Sequence, residues 1–250
     1  MAPFIFDAWN SPEVLGAISK IAGIDLVPAL DFDVGHINIS IDNVTTEVYV
    51  QGGNANDAPL TPYGDDDQSA FSWHRDSYPF VCVTMLSDCT GMVGGETAMR
   101  MGNGEVMKVR GPSMVRPLSP PPTSILTLLT PSQGTAVVMQ GRYIEHQALK
   151  ALGGRERISM VTSFRPRSAL VRDEIVLTGV RGISNLSELY NQYTQYRLEV
   201  LEERVRAQAK AVRDRERASR PFDTVGVRSF VKEQMQFLES MLVELEEDYE

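Results

Sequence analysis

The chain has 250 residues, of which 42% are hydrophobic, and a formal net charge of −9. This length suffices for one large domain, or for one domain with an appendage, and for a sizeable buried core. The acidic balance disfavours non-specific binding to nucleic acid, which requires a basic surface. We therefore expect no nucleic-acid partner.

The first residues, MAPFIFDAWN, lack the cationic flank and apolar stretch of a signal peptide. No uninterrupted apolar run approaches the roughly 18 residues that a membrane span needs. The two cysteines, Cys82 and Cys89, do not have CxxC spacing, so a disulfide framework is not expected. These features predict a cytoplasmic protein without a membrane partner.

The N-terminal part predicts a helix, two strands and a loop. Segment 11–13 (Ser-Pro-Glu) has the pattern of an N-cap, an N1 proline and a first-turn acid, and the helix should end near residue 22. Alternating and β-branched residues predict strands at 36–41 and 45–50. The Gly-, Asn-, Asp- and Pro-rich segment 51–68 predicts a solvated loop.

Residues 71–165 predict a mainly β-structure of short strands punctuated by glycines and prolines. Antiparallel strands with a helix in front are typical of a barrel or jelly roll. Segment 115–133 is rich in Pro, Ser and Thr and fits badly, because a tight turn would suffice there. It is either a surface insertion near the site or a translated intron. The predicted strands are 80–86, 96–101, 106–109, 135–140 and 157–164.

Segments 184–217 and 227–247 predict two helices, because their apolar residues recur near helical spacing. We expect an α-helical hairpin that covers one face of the β-structure or pairs with a second subunit. The chain thus divides into a β-domain at 1–181, which includes the loop and the insertion above, and a helical extension at 182–250. A homodimer through the extension is one expected assembly.

The stretch WHRDSYPF contains His74 and Asp76 at positions i and i+2. Such side chains point to the same face of a strand and can aim an imidazole and a carboxylate at one point. The chain has three histidines, and His146 in GRYIEHQ is the natural candidate for a third ligand. Two histidines and one carboxylate form the facial triad typical of non-haem Fe(II) oxygenases.

His74-Arg75-Asp76 also matches the catalytic-loop signature of protein kinases. A kinase requires Asn five residues after the aspartate, and that position is Val81. The Gly-rich loop, the strand lysine and the Asp-Phe-Gly motif are also missing from the sequence. We therefore reject the kinase interpretation.

A second signal follows the third histidine. Ten residues separate His146 from Arg157, which shares a strand face with Ser159. A guanidinium can hold a carboxylate through two parallel hydrogen bonds, and the serine hydroxyl can add a third. Gly153 and Gly154 can turn the chain between the two elements. The pattern predicts an anchor for a carboxylate-bearing co-substrate whose other end reaches the metal.

His-x-Asp, a distant His, and Arg-x-Ser at this spacing resemble the 2-oxoglutarate/Fe(II)-dependent dioxygenase superfamily. GGETA at 94–98 resembles the corresponding strand of its prolyl-hydroxylase-like branch. The run from 71 to 166 is similar to uncharacterised fungal members, many of them tied to secondary metabolism.

The resemblance implies a double-stranded β-helix (jelly roll) in which His74, Asp76 and His146 are the catalytic iron ligands. It implies that Arg157 and Ser159 anchor the distal carboxylate of 2-oxoglutarate. The expected reaction uses O₂ to oxidise a C–H bond of a small-molecule metabolite, usually by hydroxylation, with succinate and CO₂ as co-products.

Two functions of other classes stay open at this point. A cupin-like β-barrel would bind a metal without using an oxoacid, and the Arg157-Ile158-Ser159 run argues against it. A non-catalytic interaction protein would act through its helical extension, and the intact His-x-Asp and His set argues against that.

Overall fold

We describe a computed structural model of the chain. It describes residues 2–40, 69–87, 93–109, 136–152 and 156–247. Four sequence predictions lie outside these residues: the strand at 45–50, the loop at 51–68, the insertion at 115–133 and the turn at Gly153 and Gly154.

The described residues form helices, one 3₁₀ turn and mostly short strands. The helices are α1 (Pro3–Trp9), α2 (Pro12–Ala22), α3 (Thr178–Arg181), α4 (Leu186–Arg217) and α5 (Thr224–Glu244), and the 3₁₀ turn is Asp31–Asp33. The strands are β1 (Leu26–Pro28), β2 (His36–Ser40), β3 (Ser69–His74), β4 (Phe80–Met85), β5 (Val93–Gly94), β6 (Thr97–Arg100), β7 (Val106–Val109), β8 (Ala136–Met139), β9 (His146–Leu149), β10 (Ala151–Leu152) and β11 (Arg157–Pro166).

The chain packs as two compact units that are not continuous in sequence. The first unit combines Met1–Val34, Ser77–Pro79 and Ser163–Glu250, and the second combines Gly35–Asp76 and Phe80–Thr162. Within the described residues, the helices all belong to the first unit and most of the strands to the second.

The predicted N-terminal helix is α2 of the first unit. The Ser11 hydroxyl accepts a hydrogen bond from the Val14 amide at 3.4 Å, and Pro12 is the first helical residue. Gly23 ends the helix at a φ of 75°, a left-handed conformation that glycine adopts without a steric penalty. The sequence pattern therefore fixes both ends of this helix.

A core cluster unites helices and loops of the first unit. Tyr78, Leu177, Leu189 and Tyr193 are each at most 2% exposed, and Phe237 and Met241 of α5 belong to the same cluster. The predicted helices at 184–217 and 227–247 correspond to α4 and α5. Burial of these large apolar side chains is the main favourable term in the packing of both helices.

One buried ion pair lies within this packing. The Arg197 guanidinium donates to Asp173 at 2.5 Å and to the Ser240 hydroxyl at 2.6 Å, and it lies 3.5 Å from the Phe237 ring centroid. The side chains of Arg197 and Asp173 are only 1% and 5% exposed. A charge this deeply buried is tolerated because it is paired and hydrogen-bonded.

The second unit is built from antiparallel strand pairs. One sheet has the order β3-β9-β6-β7, and in another β2 and β4 both pair with β11, with β8 next to β4. A small cluster of Val81, Met99 and Met139 is buried here. The structure therefore confirms a mainly antiparallel β-fold with helical parts.

No helix in the described part of the chain is long and apolar enough to cross a membrane.

We predict that Asp173→Ala destabilises the protein by about 3–5 kcal/mol, because it leaves the Arg197 charge buried without a counter-ion. Urea unfolding measures this change in free energy. Glu202→Ala is the matched control: it removes the exposed Arg206 pair on α4, whose side chains are 77% and 60% exposed, and should cost about 0.5 kcal/mol or less. Equal effects of the two substitutions would contradict the structural role of the buried pair.

Candidate metal centre

His74, Asp76 and His146 meet in the second unit. One ligand atom of each lies within 4.8 Å of the others. The Nε2 atoms of His74 and His146 lie 3.5 and 3.6 Å from the same oxygen, Asp76 Oδ1. The two imidazole rings have centroids 4.4 Å apart. The structure thus brings together the three residues that the sequence singled out.

Strand pairing positions the two histidines. β3 and β9 are antiparallel, and His74 at the end of β3 lies directly opposite His146 at the start of β9. Opposite residues of an antiparallel pair place their side chains on the same face of the sheet. The other edge of β9 pairs with β6, where Met99 lies opposite His146. The position of His146 is therefore set from both sides.

Asp76 reaches the site differently from the sequence prediction. We expected it to share a strand face with His74, but β3 ends at His74 and Asp76 follows in irregular backbone. Its amide donates to the Gly141 carbonyl at 2.9 Å. That hydrogen bond, rather than the period-two alternation of a strand, holds the residue beside the histidines.

Both histidines are oriented by backbone carbonyls. His74 Nδ1 lies 2.7 Å from the Ser72 carbonyl oxygen, and His146 Nδ1 lies 2.9 Å from that of Ile144. A carbonyl oxygen can only accept, so in the neutral imidazole Nδ1 carries the proton and Nε2 keeps its lone pair. Both Nε2 lone pairs are therefore available to a metal at the Asp76 carboxylate.

The charge of the site favours a cation. The hydrogen bond with Asp76 raises the pKa of His74 above its ordinary value, although partial burial opposes this shift. The Ser72 carbonyl and the Asp76 charge act in the same direction as that hydrogen bond. A proton and a metal ion compete for the same nitrogen, so metal affinity should fall as the pH drops through this raised pKa.

The donor set fits a divalent metal such as Fe(II). Two imidazole nitrogens and one carboxylate oxygen would hold the ion and would leave its remaining coordination positions to other ligands. The His74 side chain is 43% exposed, whereas that of His146 is 9% exposed. One flank of the group is thus open and the other is enclosed by protein.

Gly141 makes the position of Asp76 possible, and sequence analysis missed it. A Cβ atom at 141 would overlap the Asp76 carboxylate, lying 2.7 Å from its Cγ. Only a residue without a side chain fits beneath this carboxylate. Gly141 lies five residues before His146 in the sequence. Its role could not be inferred there, because it depends on contact with Asp76, which is 65 residues away along the chain.

Arg100 was also missed in the sequence, and it contacts both of the residues that precede the two histidines. The Arg100 guanidinium pairs with Glu145 at 2.9 Å and stacks 4.8 Å from the Trp73 ring centroid. Trp73 and Glu145 immediately precede His74 and His146. Arg100 thereby links the two ligand-bearing strands.

Arg157 and Ser159 also lie where the strand period predicts. Both are on β11, are 6% and 1% exposed, and their side chains approach to 3.4 Å between Arg157 Nη1 and Ser159 Oγ. Arg157 Nε donates to the Gly95 carbonyl at 3.1 Å. The guanidinium is therefore held in place by backbone of the GGETA segment.

No family model matches the chain, and no curated protein matches it. Several solved structures show some likeness, three of which follow. An oxidoreductase of the 2OG-Fe(II) oxygenase family from Burkholderia pseudomallei is 14% identical, with 65% of this chain and 55% of that chain covered and a TM-score of 0.39. A prolyl-4-hydroxylase from Pseudomonas putida is 18% identical, with 62% of each chain covered and a TM-score of 0.33.

The third structure, of prolyl 4-hydroxylases from Phytophthora capsici, is 12% identical, with 96% of this chain and 73% of that chain covered and a TM-score of 0.36. This chain spans less than two thirds of the first two proteins. By their names, these structures are a 2OG-Fe(II) oxygenase family protein and prolyl 4-hydroxylases, the kinds of protein that the sequence motifs resemble. TM-scores below 0.5 do not establish a common fold, so the activity has to be inferred from the site itself.

We predict that Gly141→Ala lowers metal affinity by about 10–100-fold, because the new methyl group forces the Asp76 carboxylate to rotate away. Anaerobic calorimetric titration with Fe(II) measures the affinity. The melting temperature should change little, since only one side chain has to move. Gly102→Ala is the matched control, because no atom lies within 4 Å of its added methyl group. Unchanged Fe(II) affinity in Gly141→Ala would show that the Asp76 carboxylate does not bind the metal.

Proposed function

We propose that the chain is an Fe(II)- and 2-oxoglutarate-dependent oxygenase that oxidises a C–H bond of a small-molecule metabolite. The observation that supports this most is the meeting of His74, Asp76 and His146 at one carboxylate oxygen, with both Nε2 atoms available. In this proposal the three residues hold the iron. Bound iron would supply activation of O₂, with succinate and CO₂ formed from 2-oxoglutarate.

Each ligand residue has a separate task in this proposal. The two neutral imidazoles donate nitrogen lone pairs whose direction is set by the Ser72 and Ile144 carbonyls. Asp76 contributes a negative charge that offsets part of the charge of a divalent cation. The enclosed side at His146 keeps bulk water away from one flank, which strengthens electrostatic interactions there.

We infer that Arg157 and Ser159 bind the distal carboxylate of 2-oxoglutarate. A buried guanidinium is a strong carboxylate partner because its hydrogen bonds form in a medium of low dielectric. The Gly95 carbonyl accepts from Arg157 Nε, and Ser159 Oγ lies 3.4 Å from Arg157 Nη1, so the guanidinium and the hydroxyl are held side by side. The neighbouring hydroxyl can donate a further hydrogen bond to that carboxylate.

The finer features of the chain also belong to this proposal. We infer a double-stranded β-helix core within 1–181 and a helical hairpin at 182–250 that extends it. The net charge of −9 supports a small molecule rather than nucleic acid as the substrate. The two cysteines without a disulfide pattern favour a cytoplasmic location, and the resemblance to fungal members favours a role in secondary metabolism.

The test is production of succinate from 2-oxoglutarate in the presence of Fe(II), a reductant and O₂. Wild-type protein should form succinate, and Asp76→Ala should not. Well-folded, iron-loaded protein that forms no succinate and does not bind 2-oxoglutarate would contradict the proposal and favour a metal enzyme without an oxoacid.

We predict that Arg157→Gln raises the 2-oxoglutarate concentration for half-maximal succinate formation by about 10–100-fold, since a charge-assisted pair is lost. Fe(II) affinity should stay within about twofold, because Arg157 is not among the residues that could hold the metal. Lys108→Gln, at an exposed cation on β7, is the matched control. The anchor role is wrong if Arg157→Gln and Lys108→Gln have the same 2-oxoglutarate dependence.

A further inference from the structure

Exposed apolar side chains form a continuous stripe along α5. Val231, Met235, Leu238 and Leu242 have exposed fractions of 49%, 56%, 41% and 76%. Their spacings of four, three and four residues place them on one face of the helix. We call these four residues the α5 stripe.

The α5 stripe is distinct from the face that packs into the first unit. Phe237 and Met241 belong to the buried core cluster, and Gln234 is 9% exposed. With 3.6 residues per turn, the centre of the stripe lies roughly 100° around the helix axis from the centre of this buried face. The helix therefore has two apolar faces, of which its own chain buries one.

Charged residues border the α5 stripe with opposite sign at its two ends. Arg228 and Lys232 are exposed beside its N-terminal part, and Glu239 is exposed beside its C-terminal part. Glu246 adds negative charge just beyond the helix, although it also pairs with Arg181 at 2.7 Å. The three charges within the helix, Arg228, Lys232 and Glu239, lie on the same flank of the stripe by helical spacing.

We propose that the α5 stripe is the interface of a homodimer in which two copies of α5 pack antiparallel about a two-fold axis. A two-fold axis near residue 236 sets Met235 opposite the partner's Leu238. It sets Val231 opposite the partner's Leu242. The two stripes then cover each other along their whole length, and each contact occurs twice because the interface is isologous.

The charges that border the α5 stripe favour a second copy of the chain as the partner, with its α5 antiparallel. Antiparallel packing brings Lys232 beside the partner's Glu239, and Arg228 beside the acidic end of the partner helix. In a parallel pair the charged flanks of the two helices would lie on opposite sides of the dimer, so Lys232 and Glu239 would gain no partner of opposite charge. The sequence of the helix is thus complementary to itself in both apolar pattern and charge. The proposal does not depend on the oxygenase activity.

Analytical ultracentrifugation across a wide concentration range tests the proposal on the full-length chain. Wild type should show a reversible equilibrium between monomer and dimer. Met235→Glu or Leu238→Glu should raise the dissociation constant at least about tenfold, because a charge enters the apolar centre. Val205→Glu is the matched control: Val205 is 48% exposed but lies on α4 rather than on the α5 stripe, so the dissociation constant of this variant should stay near that of wild type. Circular dichroism checks that the variants retain their helix content.

Charge reversal tests the orientation. Lys232→Glu alone, and Glu239→Lys alone, should each weaken the dimer several-fold, because each creates two like-charge contacts. The double variant Lys232→Glu/Glu239→Lys should return to near wild-type affinity. A chain that stays monomeric at all concentrations, or a dimer that ignores the stripe variants, would overturn the interface. Failure of the double variant to restore affinity would overturn the antiparallel arrangement.

Discussion

The candidate site depends on one backbone register, in which His74 lies opposite His146 where β3 and β9 pair. This pairing joins residues that are far apart in sequence and brings their rings to a centroid distance of 4.4 Å. Side chains alternate between the two faces of a sheet, so a slip of one residue would turn one imidazole to the opposite face. Pairing of β9 with β6, and the Arg100 bridge across the other face, stabilise the same register.

The carboxylate is controlled by a different device. Asp76 lies beyond the end of β3, so no hydrogen bond between paired strands fixes it. Its backbone amide instead donates to the Gly141 carbonyl. This hydrogen bond holds the Asp76 backbone next to Gly141. Because glycine has no side chain, the Asp76 carboxylate fits against residue 141. The two imidazoles and the carboxylate are each oriented by contacts within the protein. Such preorganisation reduces what the metal must order when it enters.

Local patterns in the sequence predicted local structure well. Ser11, Pro12 and Gly23 set the ends of α2, and the period of two in β11 brought Arg157 to Ser159. Helix α5 begins at Thr224, earlier than predicted, because the Asp223 side chain caps it by accepting from the Gly226 amide. The three-residue strand β1 was missed because it is too short for any alternation and depends on pairing with the end of β11.

Features that arise from pairing of distant segments were not readable in the same way. His74, Asp76 and His146 could be found because their residue types are those that bind metals, and histidine is scarce in this chain. Gly141 and Arg100 carry no such chemical signal, and their roles depend on tertiary contacts with Asp76 and Glu145. The central claim is that the first three residues bind iron, and anaerobic calorimetric titration with Fe(II) tests it most directly. We predict one Fe(II) per wild-type chain, at least about hundredfold weaker binding in His146→Ala, and unchanged binding in His36→Ala. Equal Fe(II) affinity in wild type and His146→Ala would contradict the account.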